Sequence, residues 1–270
     1  ALGNIGIIYK ELGEYDKALE YYRKKLEISE ELGDIRNKAL ALGNIGVIYF
    51  HQNKIEESRI NNEEQLKIAR KLNDKYLLTL AYTNLANVYQ AEGDNEKAIK
   101  SLESALEITE TTGNLYATVI ILGNLALVCY KTGRIEESCN SFRRASAIAE
   151  EMNDKQLIAI TKGSMGQYYS DIGKMEESLE YFNSSLEILQ ELKLKPYICY
   201  YLYYKALSLF KLYKSGKLDS ITEIEKMNQE AMDIAEEIQD KDVLIDTKIL
   251  SATIRGEFDK KEAENLFKKI

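Results

Sequence analysis

The 270-residue chain has a single proline, Pro196, and its 15 glycines fall at regular places, which argues against disordered linkers. Positive charge is in deficit. The formal net charge is −8 and no Lys/Arg-rich stripe is present, so nucleic acid finds no basic field and is not an expected partner. No apolar run reaches the roughly 18 residues that a membrane helix needs, so no membrane partner is expected either. Cysteine is sparse: Cys129, Cys139 and Cys199 form an odd, irregularly spaced set. That fits a reducing compartment better than a disulfide framework and places the chain in the cytoplasm. Enzyme signatures are missing as well. There is no Walker-type phosphate loop, no nucleophile elbow and no metalloprotease histidine pair. The one histidine, His51, stands beside Gln52 and Asn53 and reads as a solvated residue at a helix end. Cys129 replaces a core tyrosine and Cys139 a core aliphatic, so both read as small hydrophobes. The expectation is therefore no catalytic residue, no metal site and no cofactor.

What is present is a repeat. Leu42-Gly43-Asn44-Ile45-Gly46-Val47-Ile48-Tyr49 recurs at residues 2–9, 82–89 and 122–129, with a looser copy at 162–169. The asparagines Asn4, Asn44, Asn84 and Asn124 are spaced by 40 residues each time. A fixed period of that size marks a solenoid, whose core is one continuous seam rather than a ball. The hydrophobic content of 45% is ample for such a seam.

Each unit reads as two amphipathic helices. In the first unit Leu2, Ile5, Ile8, Tyr9 and Leu12 mark one helix face. Tyr15, Ala18, Leu19, Tyr22, Leu26 and Ile28 mark the inward face of the second helix. Gly13 and its equivalents Asn53, Gly93, Gly133 and Gly173 end the first helices; Gly33, Asn73, Gly113 and Asn153 end the second ones. Only Gly and Asn occur there, the two residues that most readily take the left-handed conformation. Asp34, Asp74, Asn114 and Asp154 follow as N-caps. Gly6, Gly46, Ala86, Ala126 and Gly166, with Ala18, Ser58, Ala98, Ser138 and Ser178, permit close helix approach. Ile28, Ile68, Ile108, Ile148 and Ile188 predict a column of aliphatics linking neighbouring hairpins. The acidic pairs on second helices, such as Glu56-Glu57 and Glu176-Glu177, read as solvated faces. The fold class expected is all-α, a stack of antiparallel helical hairpins. It forms one array over 1–270, with repeats at about 1–33, 34–73, 74–113, 114–153, 154–193, 194–240 and 241–270, the first and last truncated.

The motif Gly46-x-x-Tyr49 on the first helix, with Gly93-x-x-x-x-Ala98-x-x-x-Leu102 at the second, resembles the tetratricopeptide repeat. The unit lacks that family's usual Trp and repeat-ending Pro and is longer. In this it is similar to the repeats of Partner-of-Inscuteable-type adaptors, kinesin light chains and bacterial peptide receptors. The resemblance implies a right-handed superhelix whose first helices line a concave surface and whose role is protein binding. On it the Asn ladder points into or beside the groove. A neutral amide offers a donor and an acceptor and can match a peptide backbone; equally, each Asn could bond the neighbouring hairpin and fix the stacking. Neighbours on the same stripe include Asn87, Leu127 and Gln167, then Phe50, Gln90 and Tyr130. These ten residues, the four ladder asparagines among them, are the candidate groove residues. The resemblance does not extend to chaperone-binding members with a two-carboxylate clamp. The Lys they use corresponds to Gly3, Gly43, Thr83 and Gly123, and only Asn87 matches their further Asn. The glycines there predict open floor space.

After Pro196 the pattern degrades. Tyr197 to Tyr213 reads as a tyrosine-rich first helix followed by a longer turn, Lys214-Ser215-Gly216-Lys217. Ile188 and its counterpart Ile234 lie 46 apart, an insertion of about six residues. The last helix pair is expected at Val243–Arg255 and Asp259–Ile270. The tyrosines could serve self-association through a terminal surface, but a core role is the preferred reading. Two functions follow: a non-catalytic scaffold that binds a peptide or helical segment of a partner, or the peptide-sensing arm of a larger signalling protein. Ala1 already lies inside the motif, so the sequence reads as a piece of a longer chain.

Overall fold

The structure is a computed structural model that describes residues 2–256. The expected second helix of the last pair, Asp259–Ile270, lies outside them. Among the described residues the chain is helical throughout, with no strand. The helices are α1 (Leu2–Glu11), α2 (Tyr15–Glu31), α3 (Ile35–His51), α4 (Ile55–Leu72), α5 (Lys75–Ala91), α6 (Asn95–Thr112), α7 (Leu115–Lys131), α8 (Ile135–Glu151), α9 (Lys155–Asp171), α10 (Met175–Glu191), α11 (Lys195–Lys214), α12 (Thr222–Ile238) and α13 (Lys241–Arg255). None is long and apolar enough to cross a membrane. Two compact units divide between Ala145 and Ser146.

In each unit the helices pack against their sequence neighbours, and first helices also meet first helices: α3 with α5, and α11 with both α9 and α13. The turns impose this. Gly13, Gly33, Asn53 and Asn73 all hold positive φ, and the same backbone recurs at every such turn through Gly173. All four expected caps bond the helix they precede: Asp34 accepts from Asn37 N at 2.9 Å, Asp74 from Leu77 N at 3.1 Å, Asn114 from Ala117 N at 3.1 Å and Asp154 from Leu157 N at 3.0 Å.

Close approach follows from the small residues. Ala18, Ser58, Ala98, Ser138 and Ser178 are each fully buried. A methyl group on Gly6 would meet the Tyr22 ring at 2.6 Å, and one on Gly166 the Phe182 ring at 2.8 Å. In the first unit Ala18, Leu19 and Tyr22 enclose Ile45 and Ile48, while Leu66 and Ala69 enclose Leu77, Leu78, Ala81 and Leu85. In the second, Phe182, Leu186 and Leu189 meet Ile198, Tyr201 and Leu202. Each fully buried Leu or Ile contributes roughly 1.5–3 kcal/mol relative to exposure.

Two expectations need correction. The isoleucine column is half-buried at best: Ile68 and Ile188 pack beside the core, and Ile28 is 44% exposed. The buried seam is carried instead by the adjacent Leu and Ala positions. In α1, Ile8 and Leu12 are exposed, whereas Ile48 and Val88 at the position of Ile8 are fully buried, because in those repeats the preceding hairpin covers them. The tyrosine-rich helix expected after Pro196 is present as α11, with Pro196 in its first turn, where a missing N–H costs nothing. The longer turn expected after it is the connection between Lys214 and Thr222.

Candidate partner-binding surface

On α3 the residues Ala39, Ala41, Leu42, Gly43, Ile45, Gly46 and Ile48 are buried, which leaves Leu40, Asn44, Val47 and Phe50 as a half-buried stripe. Their spacing by three and four puts them on one side of the helix. The same positions on α5 are Leu80, Asn84, Asn87 and Gln90, and on α7 Ile120, Asn124, Leu127 and Tyr130. On α1 Asn4 and Ile7 hold them and are exposed. Nine of the ten candidate residues thus lie on equivalent stripes of first helices in the first unit. The tenth, Gln167, lies on α9 in the second.

The ladder is not uniform. Asn84 Nδ2 donates to Asn62 Oδ1 at 3.1 Å, and Asn62 in turn donates to the Ser58 carbonyl at 2.9 Å. Asn62 is 1% exposed and occupies the place held by Tyr22, Leu102, Phe142 and Phe182 in other repeats. Asn84 is therefore tied to the second helix of the preceding hairpin, α4. Asn44 and Asn124 have no side-chain hydrogen bond among the described residues. The glycine floor is also uneven. A methyl group on Gly43 would fall within 2.3–2.5 Å of the Gln65 amide, so that space is already filled, and Lys25 lies along Gly3. Only at Gly123 would added atoms meet nothing within 4 Å. Gln65 is 1% exposed, and its Oε1 has no hydrogen-bond partner among the described residues.

In the second unit the corresponding stripe runs over α9 and α11. The Tyr200 hydroxyl donates to Gln167 Oε1 at 3.4 Å, and its ring lies 4.7 Å from that of Tyr204. Tyr201 is core: its hydroxyl donates to the Ile160 carbonyl at 3.0 Å, and burial pushes its pKa up to about 12. Lys211 lies 3.6 Å from Asp171 and donates to Ser170 at 3.2 Å. Tyr204 is half-buried and packs against the core, whereas Tyr200 is a surface residue that the sequence reading assigned to the core. Tyr200 and Tyr204 follow Ile160 and Ser164 by the same 40 residues that space the ladder.

The reactive side chains lie elsewhere. Cys129 and Cys199 are buried, and burial lifts both thiols to about 11. His51 is exposed and stacks on Tyr15, with ring centroids 5.4 Å apart. The acidic faces pair with both lysine and arginine: Lys24 reaches Glu20 one turn away, and Arg59 reaches Glu56, Glu63 and Glu92. The stripes thus offer amides, hydroxyls, aromatic rings and aliphatic groups, a chemistry of recognition.

A tetratricopeptide repeat model matches the sequence over residues 1–71, 37–111, 76–151 and 117–191. No curated protein matches it. Among solved structures it is similar to aspartyl phosphate phosphatase F from Bacillus subtilis, at 19% identity and TM-score 0.76, covering 99% of this chain and 68% of that one. It is similar to a Rap protein complexed with Competence and Sporulation Factor, at 21% identity and TM-score 0.73, over 99% and 74% of the two chains. It is also similar to a signal transduction ATPase with a tetratricopeptide repeat sensor from Pyrococcus horikoshii, at 20% identity and TM-score 0.70. There it covers 99% of this chain and only 40% of the other. These identities establish the fold alone. With the family model matched over most of its length, the chain belongs to the tetratricopeptide repeat family.

Proposed function

We propose that this chain is a non-catalytic scaffold that holds an extended or helical segment of a partner protein along its first-helix stripes. The observation that carries the reading is the pair Asn44 and Asn124, half-buried amides at equivalent positions with no side-chain hydrogen bond among the described residues. Dehydrating an amide without a partner costs roughly 1–3 kcal/mol, so a backbone that supplies both a donor and an acceptor is the natural complement. Val47, Phe50, Leu127 and Tyr130 beside them offer apolar anchors for alternate side chains of the segment. The Rap relative complexed with Competence and Sporulation Factor supports the reading, since the same fold there holds a ligand.

The test is a degenerate peptide display selection on three proteins: the parent, Asn44→Ala with Asn124→Ala, and Asn84→Ala alone. The double variant is expected to lose peptide binding at an unchanged melting temperature. Asn84→Ala is expected to melt lower, because it frees the buried Asn62 amide. A double variant that binds the selected peptides as well as the parent does would overturn the assignment of the stripe.

The sensor of the Pyrococcus horikoshii ATPase, of which this chain spans 40%, supports a second reading. In it the same surface senses a peptide and regulates an effector on the same polypeptide. Flanking sequence that encodes a cyclase, a kinase or a helix-turn-helix domain favours this reading. Flanks that hold only further repeats remove it.

A further inference from the structure

Asn84 differs from the other ladder asparagines in what lies behind it. Asn62 of α4 is fully buried, and its side chain is fixed from two sides. Its Nδ2 donates to the Ser58 carbonyl at 2.9 Å and, at 3.3 Å, to the Ser58 hydroxyl. On the other side α3 closes over the amide at Gly46, where a methyl group would meet it at 2.6–2.9 Å. The residues at the place of Asn62 behind Asn44 and Asn124 are Tyr22 and Leu102. Among the described residues neither bonds the asparagine in front of it.

The bond to Ser58 sets the direction of every bond after it. A main-chain carbonyl only accepts, so the Asn62 group that faces it is the NH2, and the group left for Asn84 is the Asn62 oxygen. Reversing the Asn62 amide would set oxygen against oxygen at Ser58 and NH2 against NH2 at Asn84. The group that Asn84 turns to Asn62 is therefore its Nδ2, 3.1 Å from Asn62 Oδ1. Asn84 Oδ1 is left over. It has no hydrogen-bond partner among the described residues, and Asn84 is half-buried on the α5 stripe with Leu80 and Asn87. Hydrogen bonds in a chain polarise one another, so an amide that already donates is a stronger acceptor at its oxygen.

We propose that Asn62 is a positioning residue that holds Asn84 as a hydrogen-bond acceptor, so that the third repeat takes one main-chain N–H of the bound segment. This rests on the reading above, in which a segment lies along the first helices. It adds a direction to that contact. Asn44 and Asn124 can turn to meet either a donor or an acceptor, whereas Asn84 calls for a donor. The ladder otherwise offers the segment the same amide every 40 residues, and one amide of fixed direction makes one register differ from the others. A residue without an N–H, proline above all, is excluded at that place.

The experiment uses the tightest of the peptides selected on the whole chain and an amide-to-ester series made from it. In each member one main-chain N–H is replaced by oxygen. All are titrated against the parent, Asn84→Ala and Asn62→Leu. Leucine is the residue at the equivalent place in α6, Leu102, so Asn62→Leu removes the bond to Asn84 without leaving a buried amide unpaired. On the parent, one ester position is expected to weaken Kd about tenfold, the scale of one hydrogen bond. On Asn84→Ala and on Asn62→Leu the penalty at that position is expected to shrink to about twofold, while the penalties at other positions stay. A merely structural role for Asn62 would weaken every member alike and leave the shape of the series unchanged. A series of one shape on all three proteins would overturn the Asn84 contact. A series altered by Asn84→Ala but not by Asn62→Leu would overturn the positioning role. The scaffold reading stands in both cases. Failure to select any peptide overturns the scaffold reading and this contact with it.

Discussion

Asn53, Asn73 and Asn153 take φ between 50° and 58°, and glycine holds the other turns of the first four repeats, yet the same backbone is forced on Lys193 at 55° and Gln239 at 59°. A left-handed conformation costs a residue with a long side chain roughly 1–2 kcal/mol more than glycine. The unfolded glycine chain gains entropy that offsets part of this. Lys193→Gly is accordingly expected to stabilise the chain by about 1 kcal/mol, read as a higher urea midpoint at constant slope. A lowered midpoint would mean that Lys193 makes contacts worth more than its strain. The turn positions were legible in sequence as a pattern of Gly and Asn, and Lys193 was invisible to that pattern because geometry, not residue type, repeats there. Asn84 shows the converse. Its periodicity was plain, but its bond to Asn62 depends on a second-helix residue that departs from the repeat.

The first helices α3, α5, α7, α9 and α13 begin at turns closed by an Asp or Asn cap, whereas α11 follows Leu194 without one. In α9 the Asp154 carboxylate accepts the Leu157 N–H at 3.0 Å, and Leu157 is fully buried. Asp154→Ala leaves that donor unsatisfied, and the expected cost is about 1 kcal/mol. Asp154→Asn should recover most of it, as Asn114 caps α7. Equal melts for all three proteins would show that the turn at Asn153 alone sets the start of α9. At this scale sequence reading did well: periodicity, turn residues and caps agree, and the helices lie where the pattern placed them. It failed where burial depends on neighbours. Ile28 has the same residue type as Ile68 and Ile108, yet it is 44% exposed. Tyr200 and Tyr201 are adjacent and chemically identical, but only Tyr201 is covered, by the helix pair whose Gly163 its ring overlies.

In a stack whose helices mostly touch their immediate neighbours, stability is close to a sum of hairpin terms and nearest-neighbour interfaces. A local lesion should then stay local. Leu77 is fully buried among Ala39, Leu66, Ala69 and Ala81, contributed by α3, α4 and α5. Leu77→Ala removes that contact set and leaves a cavity, at a cost of about 2–5 kcal/mol. Hydrogen exchange under native conditions is expected to show the loss in the amides of α3, α4, α5 and α6, the helices in direct packing with one another. Amides of α11 and α12 lie in the other compact unit, around Ala206, Leu209, Leu212 and Ile224. Their protection should fall by less than about a third as much in free-energy terms, since no interface of theirs is touched. An equal fall in every helix would mean that the repeats unfold as one cooperative body. Binding at one stripe would then stabilise all the others. A local fall would mean that, on the proposed scaffold, the asparagine stripe of the first unit can order a bound segment without drawing stability from the helices of the second.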